Sequence, residues 1–199
     1  MGFSPLIEAL IESLRCLPGV GQKTAQRMAF HLLNNDKRGA ERLATVMQQA
    51  ITEIGHCSLC RNLCEHELCD YCTSTSRDDS TLCIVESPAD VLTVDNATQF
   101  RGKYFVLMGH LSPLDGVGPE ELGLSVLGQR FDENVIKEVI LATNPTVEGE
   151  ATAHYISEMA ARRNIKATRL AHGVPLGGEL EYIDGNTLSH AFSDRREIL

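Results

Sequence analysis

Leu6, Ile7, Leu10, Ile11 and Leu14 recur three and four residues apart, which predicts an amphipathic helix over residues 5–15. Ser4 suits the N-cap before it, and Pro5 fits the first helical position. Leu17-Pro18-Gly19-Val20-Gly21 breaks the pattern. Ala25, Met28, Ala29, Leu32 and Leu33 then mark one face of a second helix, and Leu43, Met47, Ala50, Ile51 and Ile54 one face of a third. The first ~55 residues read as a small helical unit. From Leu82 the texture changes to short apolar runs that alternate with helical stretches. Leu82–Val85, Tyr104–Met108, Val139–Ala142 and Lys166–Leu170 read as strands; Pro88–Val94, Pro119–Phe131 and Gly149–Arg163 read as helices. Such alternation predicts parallel pairing with helices on both faces of the sheet. From His172 the chain is rich in glycine, with an apolar stretch at Leu180–Ile183 and a short helix near Leu188–Phe192.

Composition narrows the function classes. The 199 residues are 43% hydrophobic, enough for a real core. There is no run of 18 apolar residues, so no membrane span is expected, and the N-terminus lacks the basic and apolar regions of a signal peptide. The expected location is cytoplasmic. The net charge of −9 argues against a generic nucleic-acid binder, but it is unevenly spread. Residues 1–42 carry six Lys/Arg and four acids, a net of +2, and the remainder is −11. Nucleic-acid contact is therefore expected at the N-terminal end, and basic protein partners suit the rest.

Between the first two helices, Gly19 and Gly21 let backbone approach a phosphate, and the following helix N-terminus offers free N–H donors. Lys23 and Arg27, four apart, share a face and suit adjacent phosphates. The competing reading is a glycine turn beside a solvated basic face. Gly21-Gln22-Lys23-Thr24 imitates a nucleotide-binding loop, but Gln22 stands where that loop has glycine and no strand precedes it. Cys57-x₂-Cys60-x₈-Cys69-x₂-Cys72 forms two knuckles whose four thiolates suit one tetrahedral, closed and hence structural Zn²⁺. Disulfides or a redox pair are the alternatives. Cys64 reads as a non-ligand, and Cys16, Cys83, Tyr104, Phe105 and Tyr155 read as core. Met108–Gly118 is a glycine-rich loop at a strand end, where open α/β sheets place ligands. Its His110 and Asp115 are candidates for polar contacts with no catalytic partner visible in the sequence.

Leu82-Cys83-Ile84-Val85-Glu86-Ser87-Pro88-Ala89-Asp90 and Asn144-Pro145-Thr146-Val147-Glu148-Gly149-Glu150 together resemble the Toprim domain of topoisomerases and primases. In that family the second segment carries two Mg²⁺-holding aspartates, and Asn144 and Thr146 stand in their places here. Glu86, Glu148 and Glu150 match the family. The resemblance therefore implies a retained scaffold without phosphotransfer, not an enzyme, whose three glutamates lack a strong counter-ion and form a surface for a basic partner.

A wider resemblance runs nearly end to end. It is carried by Arg15–Gly21, Gln26–Phe30, Val85–Asp90, Leu111–Gly116, Ala142–Glu150 and Ala171-His172-Gly173-Val174-Pro175. On these strings the chain resembles the bacterial recombination mediator family RecR. That resemblance implies an α/β Toprim domain preceded by a helix-hairpin-helix unit and a four-cysteine zinc module. The expected parts are 1–55 (helix-hairpin-helix), 56–78 (zinc finger), 79–165 (Toprim) and 166–199 (glycine-rich oligomerisation segment). It further implies a homo-oligomeric ring, tetramer or dimer, that binds single- and double-stranded DNA without sequence preference. Such a protein acts with RecO and RecF to help load RecA onto gapped DNA coated by single-strand-binding protein, in the cytoplasm at the nucleoid. A catalytic Toprim nuclease or topoisomerase and a zinc-stabilised adaptor that never touches DNA are the rival classes.

Overall fold

The structure is a computed structural model and describes residues 2–171 and 173–195. His172, within the Ala171–Pro175 string, lies outside the described residues. The chain divides into two compact units, Met1–Ile54 and Gly55–Leu199.

The first unit contains α1 (Pro5–Leu14), α2 (Gln22–Asn34) and α3 (Lys37–Glu53). Ser4 and Pro5 start α1 as the pattern predicts, although the Ser4 side chain makes no capping hydrogen bond. Ile11, Ala25 and Ala29 are buried against Ile7, Leu10, Leu14 and Val20. The two alanines let α1 and α2 approach closely, which is why so few large side chains suffice. Asp36 caps α3 by accepting from the Gly39 N–H at 2.8 Å. No residue of α3 is buried, and Leu43, Met47, Ile51 and Ile54 are all exposed. The sequence pattern is that of a core-facing helix, yet within the first unit none of its apolar face is buried among the described residues. Cys16, expected in the core, is exposed because the turn after α1 carries it outward.

The second unit opens with a hairpin of β1 (Gly55–His56) and β2 (Leu63–Cys64), then a one-turn α4 (Asp70–Thr73). There follow β3 (Asp78–Val85), α5 (Pro88–Ala97), β4 (Gly102–Val106), α6 (Leu124–Asp132), β5 (Glu138–Ala142), α7 (Val147–Ala161) and β6 (Lys166–Arg169). The four long strands are parallel in the order β4-β3-β5-β6, with Val85 paired to Val106 on one side and Ala142 on the other. Leu82, Ile84, Phe105, Val139 and Leu141 point to one face, under α6 and α7. Cys83, Val85, Tyr104 and Val106 point to the other, under α5 and α4. Alternate residues of one strand thus supply two cores, as helices on both faces require. A short 3₁₀ turn (Leu180–Tyr182) and α8 (Gly185–Ser193) complete the described chain.

Two further expectations need correction. The helix read over Pro119–Phe131 begins only at Leu124, because Gly123 adopts φ +66° and turns the chain first. Tyr155 is half exposed, since α7 buries its Gly149, Thr152, Ala153, Ile156 and Ala160 face instead.

Candidate nucleic-acid interface and metal centre

The turn joining α1 to α2 is closed by the Val20 N–H on the Leu17 carbonyl at 3.1 Å, with Gly19 at φ +76°. Gly21 is the N-cap of α2 and brings no side chain to fill the space before the first N–H groups. Helix N-termini leave such donors unpaired and carry the positive end of the dipole. Lys23 and Arg27 are exposed on the following turns. Arg27 also borders an open groove of about 950 Å³ lined by Ile7, Met28, Phe30, His31 and Leu33. The structure thus brings together one open helix end and two cations. It adds an apolar hollow that the sequence pattern did not foretell.

The four cysteines converge. Their sulfurs all lie within 4.8 Å of one another, and three of the four residues are buried. Zn–S bonds of about 2.3 Å at tetrahedral angles put sulfurs about 3.8 Å apart, so the arrangement fits. The β1–β2 hairpin supplies Cys57 and Cys60, and Arg61 at φ +63° lets the knuckle turn back, with its N–H on the Cys57 carbonyl. The start of α4 supplies Cys69 and Cys72. A hydrogen bond with Cys60, then others with Cys57 and Cys69 and the Arg130 charge, hold the Cys72 thiol down to about 6. Burial pushes Cys69 up to about 11, and hydrogen bonding with Cys72 together with burial raises Cys60. One thiolate forms readily in this nest while Cys60 and Cys69 resist, and a bound dication would favour their thiolate forms. Cys64 bonds the His66 carbonyl through its sulfur and stands outside the set.

This centre is built into the sheet beside it. The Val106 N–H donates to the Cys60 carbonyl at 2.8 Å. Lys103, only 4% exposed, donates to the Cys72 and Ser74 carbonyls at 2.9 and 2.7 Å. Arg61 reaches the Leu107 and Glu121 carbonyls, and Arg130 those of Leu59 and Tyr104. Arg77 lies 4.9 Å from the ring of Tyr71 and 5.5 Å from that of Tyr104 while paired with Asp95. Three of these cations, Arg61, Arg77 and Arg130, show in the sequence only as surface charges; Lys103, inside an otherwise apolar strand, carries the one local hint of burial.

At the strand ends, Glu86 is 6% exposed. One carboxylate oxygen accepts from the Asn144 main-chain N–H at 2.8 Å, the other from the Asn144 side-chain amide at 2.7 Å. His110 Nδ1 lies 3.4 Å from the same carboxylate, a partner for His110 that the sequence did not reveal. Asp115 accepts from the Ser112 hydroxyl at 2.6 Å and serves its own turn. Thr146 caps α7, accepting from the Gly149 N–H at 3.1 Å. Glu148 and Glu150 are exposed in the first turn, and Glu150 is paired with Arg169. The expectation of three glutamates without a counter-ion is corrected accordingly: Glu86 is inside and satisfied by Asn144, and Glu150 has Arg169. The carboxylates that face outward are Glu148 and Glu150.

Comparison with known proteins accounts for each part. Residues 7–51 match the family described as RecR, helix-hairpin-helix, and 54–74 match the RecR zinc finger domain with four cysteine ligands. Residues 80–171 match the Toprim domain, and 173–196 match RecR, C-terminal. Recombination protein RecR of Methylococcus capsulatus is 61% identical over 192 residues, covering 96% of this chain and 97% of that protein. This chain belongs to the RecR family. Recombination protein RecR of Saccharophagus degradans is 58% identical over 196 residues, 98% of this chain and 100% of that one. As a RecR-family recombination protein, the chain carries the family's helix-hairpin-helix, a DNA-binding module, and a zinc cofactor for which the four sulfurs are positioned. Among the described residues, no helix is long and apolar enough to cross a membrane.

Proposed function

We propose that this protein is a non-enzymatic recombination mediator. It binds DNA through its N-terminal unit and acts with RecO, and with RecF, to help RecA displace single-strand-binding protein at gaps. The observation that carries this reading is the open N-terminus of α2, capped by Gly21 and flanked by exposed Lys23 and Arg27. These groups grip phosphates and read no bases, so single- and double-stranded DNA are both ligands. The working form is a homo-oligomeric ring. Support comes from α3, none of whose residues is buried, with exposed Leu43, Met47 and Ile51 and the following Ile54 suiting a second copy. Weak sites repeated around a ring act together at high effective concentration. We assign roles by part: 1–55 to DNA, 56–78 to zinc, 79–165 to partner docking and 166–199 to assembly, in the cytoplasm at the nucleoid. The Toprim part is catalytically silent, because a neutral amide and a hydroxyl stand at 144 and 146, where a hard cation needs anionic oxygen.

The test is a salt titration of DNA binding by the full chain. Lys23→Ala with Arg27→Ala should weaken binding about tenfold or more and reduce the salt slope by about two, on single and double strands alike. Equal affinity and slope in a folded double variant overturns the assigned interface. Mg²⁺-dependent nicking or relaxation of supercoiled DNA, abolished by Glu86→Gln, overturns the non-enzymatic reading.

A further inference from the structure

We propose that the Asn144 side-chain amide is a built-in substitute for a cation, closing by hydrogen bonding a corner that an acidic residue at the same place would leave demanding an ion. The inference rests on the silent Toprim reading above and explains how the silence is kept.

A carboxylate as far removed from water as that of Glu86 is costly unless its oxygens meet donors. Both are met, and by one residue: the Asn144 main-chain N–H takes Oε1 at 2.8 Å and its Nδ2 takes Oε2 at 2.7 Å. This joins the end of β3 to the end of β5. The loop after β4 joins through His110, 3.4 Å from Oε2. The first turn of α7 joins by shape, because a Cβ on Gly149 would lie 2.1 Å from the Asn144 carbonyl oxygen and 3.0 Å from Glu86 Oε1. Thr143 reinforces the corner, its hydroxyl donating to the Gly149 carbonyl at 2.9 Å. Three chain segments thus meet at one carboxylate, and the close fit of Gly149 with the Thr143 hydroxyl adds the first turn of α7.

The amide is the element that decides the chemistry. Asn and Asp have almost the same shape. Asn144→Asp replaces the donor on Glu86 Oε2 by a carboxylate oxygen at the same 2.7 Å position. Two carboxylates at that distance need a shared proton or a cation between them. The neutral residue removes that need while keeping the geometry. Asn144 is therefore a positioning residue: it fixes the loop that leads to the exposed Glu148.

Thermal unfolding of the zinc-loaded full chain, with Mn²⁺ added and no chelator, tests this. The wild type should show no shift with Mn²⁺. Asn144→Asp should melt lower by about 5 °C without Mn²⁺, recover on adding it, and bind Mn²⁺ detectably by electron paramagnetic resonance. It should also gain stability on acidification. The shared proton raises one carboxyl's folded pKa, so stability is present at low pH and is lost as pH rises through that value. Asn144→Leu should melt lower and recover with neither Mn²⁺ nor acid. Where Asn144→Asp folds only with Mn²⁺, the refolding yield gives the same readout. Wild-type stabilisation by Mn²⁺ that Glu86→Gln abolishes overturns the silent-site reading. An unmoved wild type with an Asn144→Asp variant of full stability, or one that Mn²⁺ fails to rescue, overturns the proposed substitution alone.

Discussion

Gly19 holds φ +76° with nothing within 4 Å of where a Cβ would stand. Space is free there, but backbone geometry is not. An L side chain at that angle is strained by roughly 1 kcal/mol or more. Gly19→Ala should therefore lower the melting temperature by about 2–4 °C. It should also weaken DNA binding, because relaxation of the turn swings the α2 N-terminus away from a phosphate. Calorimetry and fluorescence anisotropy check the two effects separately, and normal DNA binding with lowered stability would confine Gly19 to a folding role. Residue chemistry of this kind was legible in the sequence wherever spacing expressed it. The glycines of the turn and the four cysteines are local patterns, and each came out where the pattern put it. Glu86 with Asn144 was legible only in part. The resemblance pointed to both, but the bond between them spans 58 positions and depends on strand order, which no local spacing encodes.

At the level of elements, the zinc knuckles and the sheet form one compact unit, although the sequence presents them as successive parts. Long cations do the joining. Arg77 lies against the rings of Tyr71 on α4 and Tyr104 on β4, which meet edge to face, while paired with Asp95 on α5, and its side chain is only 10% exposed. Arg77→Ala removes two ring contacts and the charge partner of a mostly buried Asp95, leaving that carboxylate the Tyr104 hydroxyl, a loss of about 2–3 kcal/mol. The expected result is a melting point lower by about 5–10 °C, with zinc content unchanged by metal analysis. Loss of zinc in a folded Arg77→Ala protein would show that the joint also shapes the metal site. The sequence could not announce this joint, because an arginine used to pack rings is spelled like one left in solvent. A related limit applies to α3: apolar letters at helical spacing suggest burial, but spacing alone does not show that anything in the fold covers them.

For the whole molecule, charge divides along the unit boundary. Residues 1–54 carry six basic and five acidic side chains, and residues 55–199 carry twelve and twenty-two. One chain thus has a near-neutral part suited to phosphates and an acidic part suited to basic proteins. Glu148→Lys, at an exposed position on α7, should weaken association with RecO several-fold and leave DNA binding by the protein alone unchanged. Surface plasmon resonance against RecO and against DNA separates the two; equal loss on both surfaces would refute the division. The metal centre has a further consequence at this scale, through the Val106 N–H that donates to the Cys60 carbonyl. β4 is the outermost strand of its sheet on that side. An outer strand with free N–H and C=O groups is a template for pairing with other chains. The knuckle occupies one of those groups and lies along the margin, while Lys103 ties α4 down beside it. Loss of the zinc-held knuckle is therefore expected to uncover that margin. Stripping the zinc with a thiol-compatible chelator should produce concentration-dependent turbidity and amyloid-dye binding before the helical N-terminal unit melts, and re-adding zinc early should stop the growth.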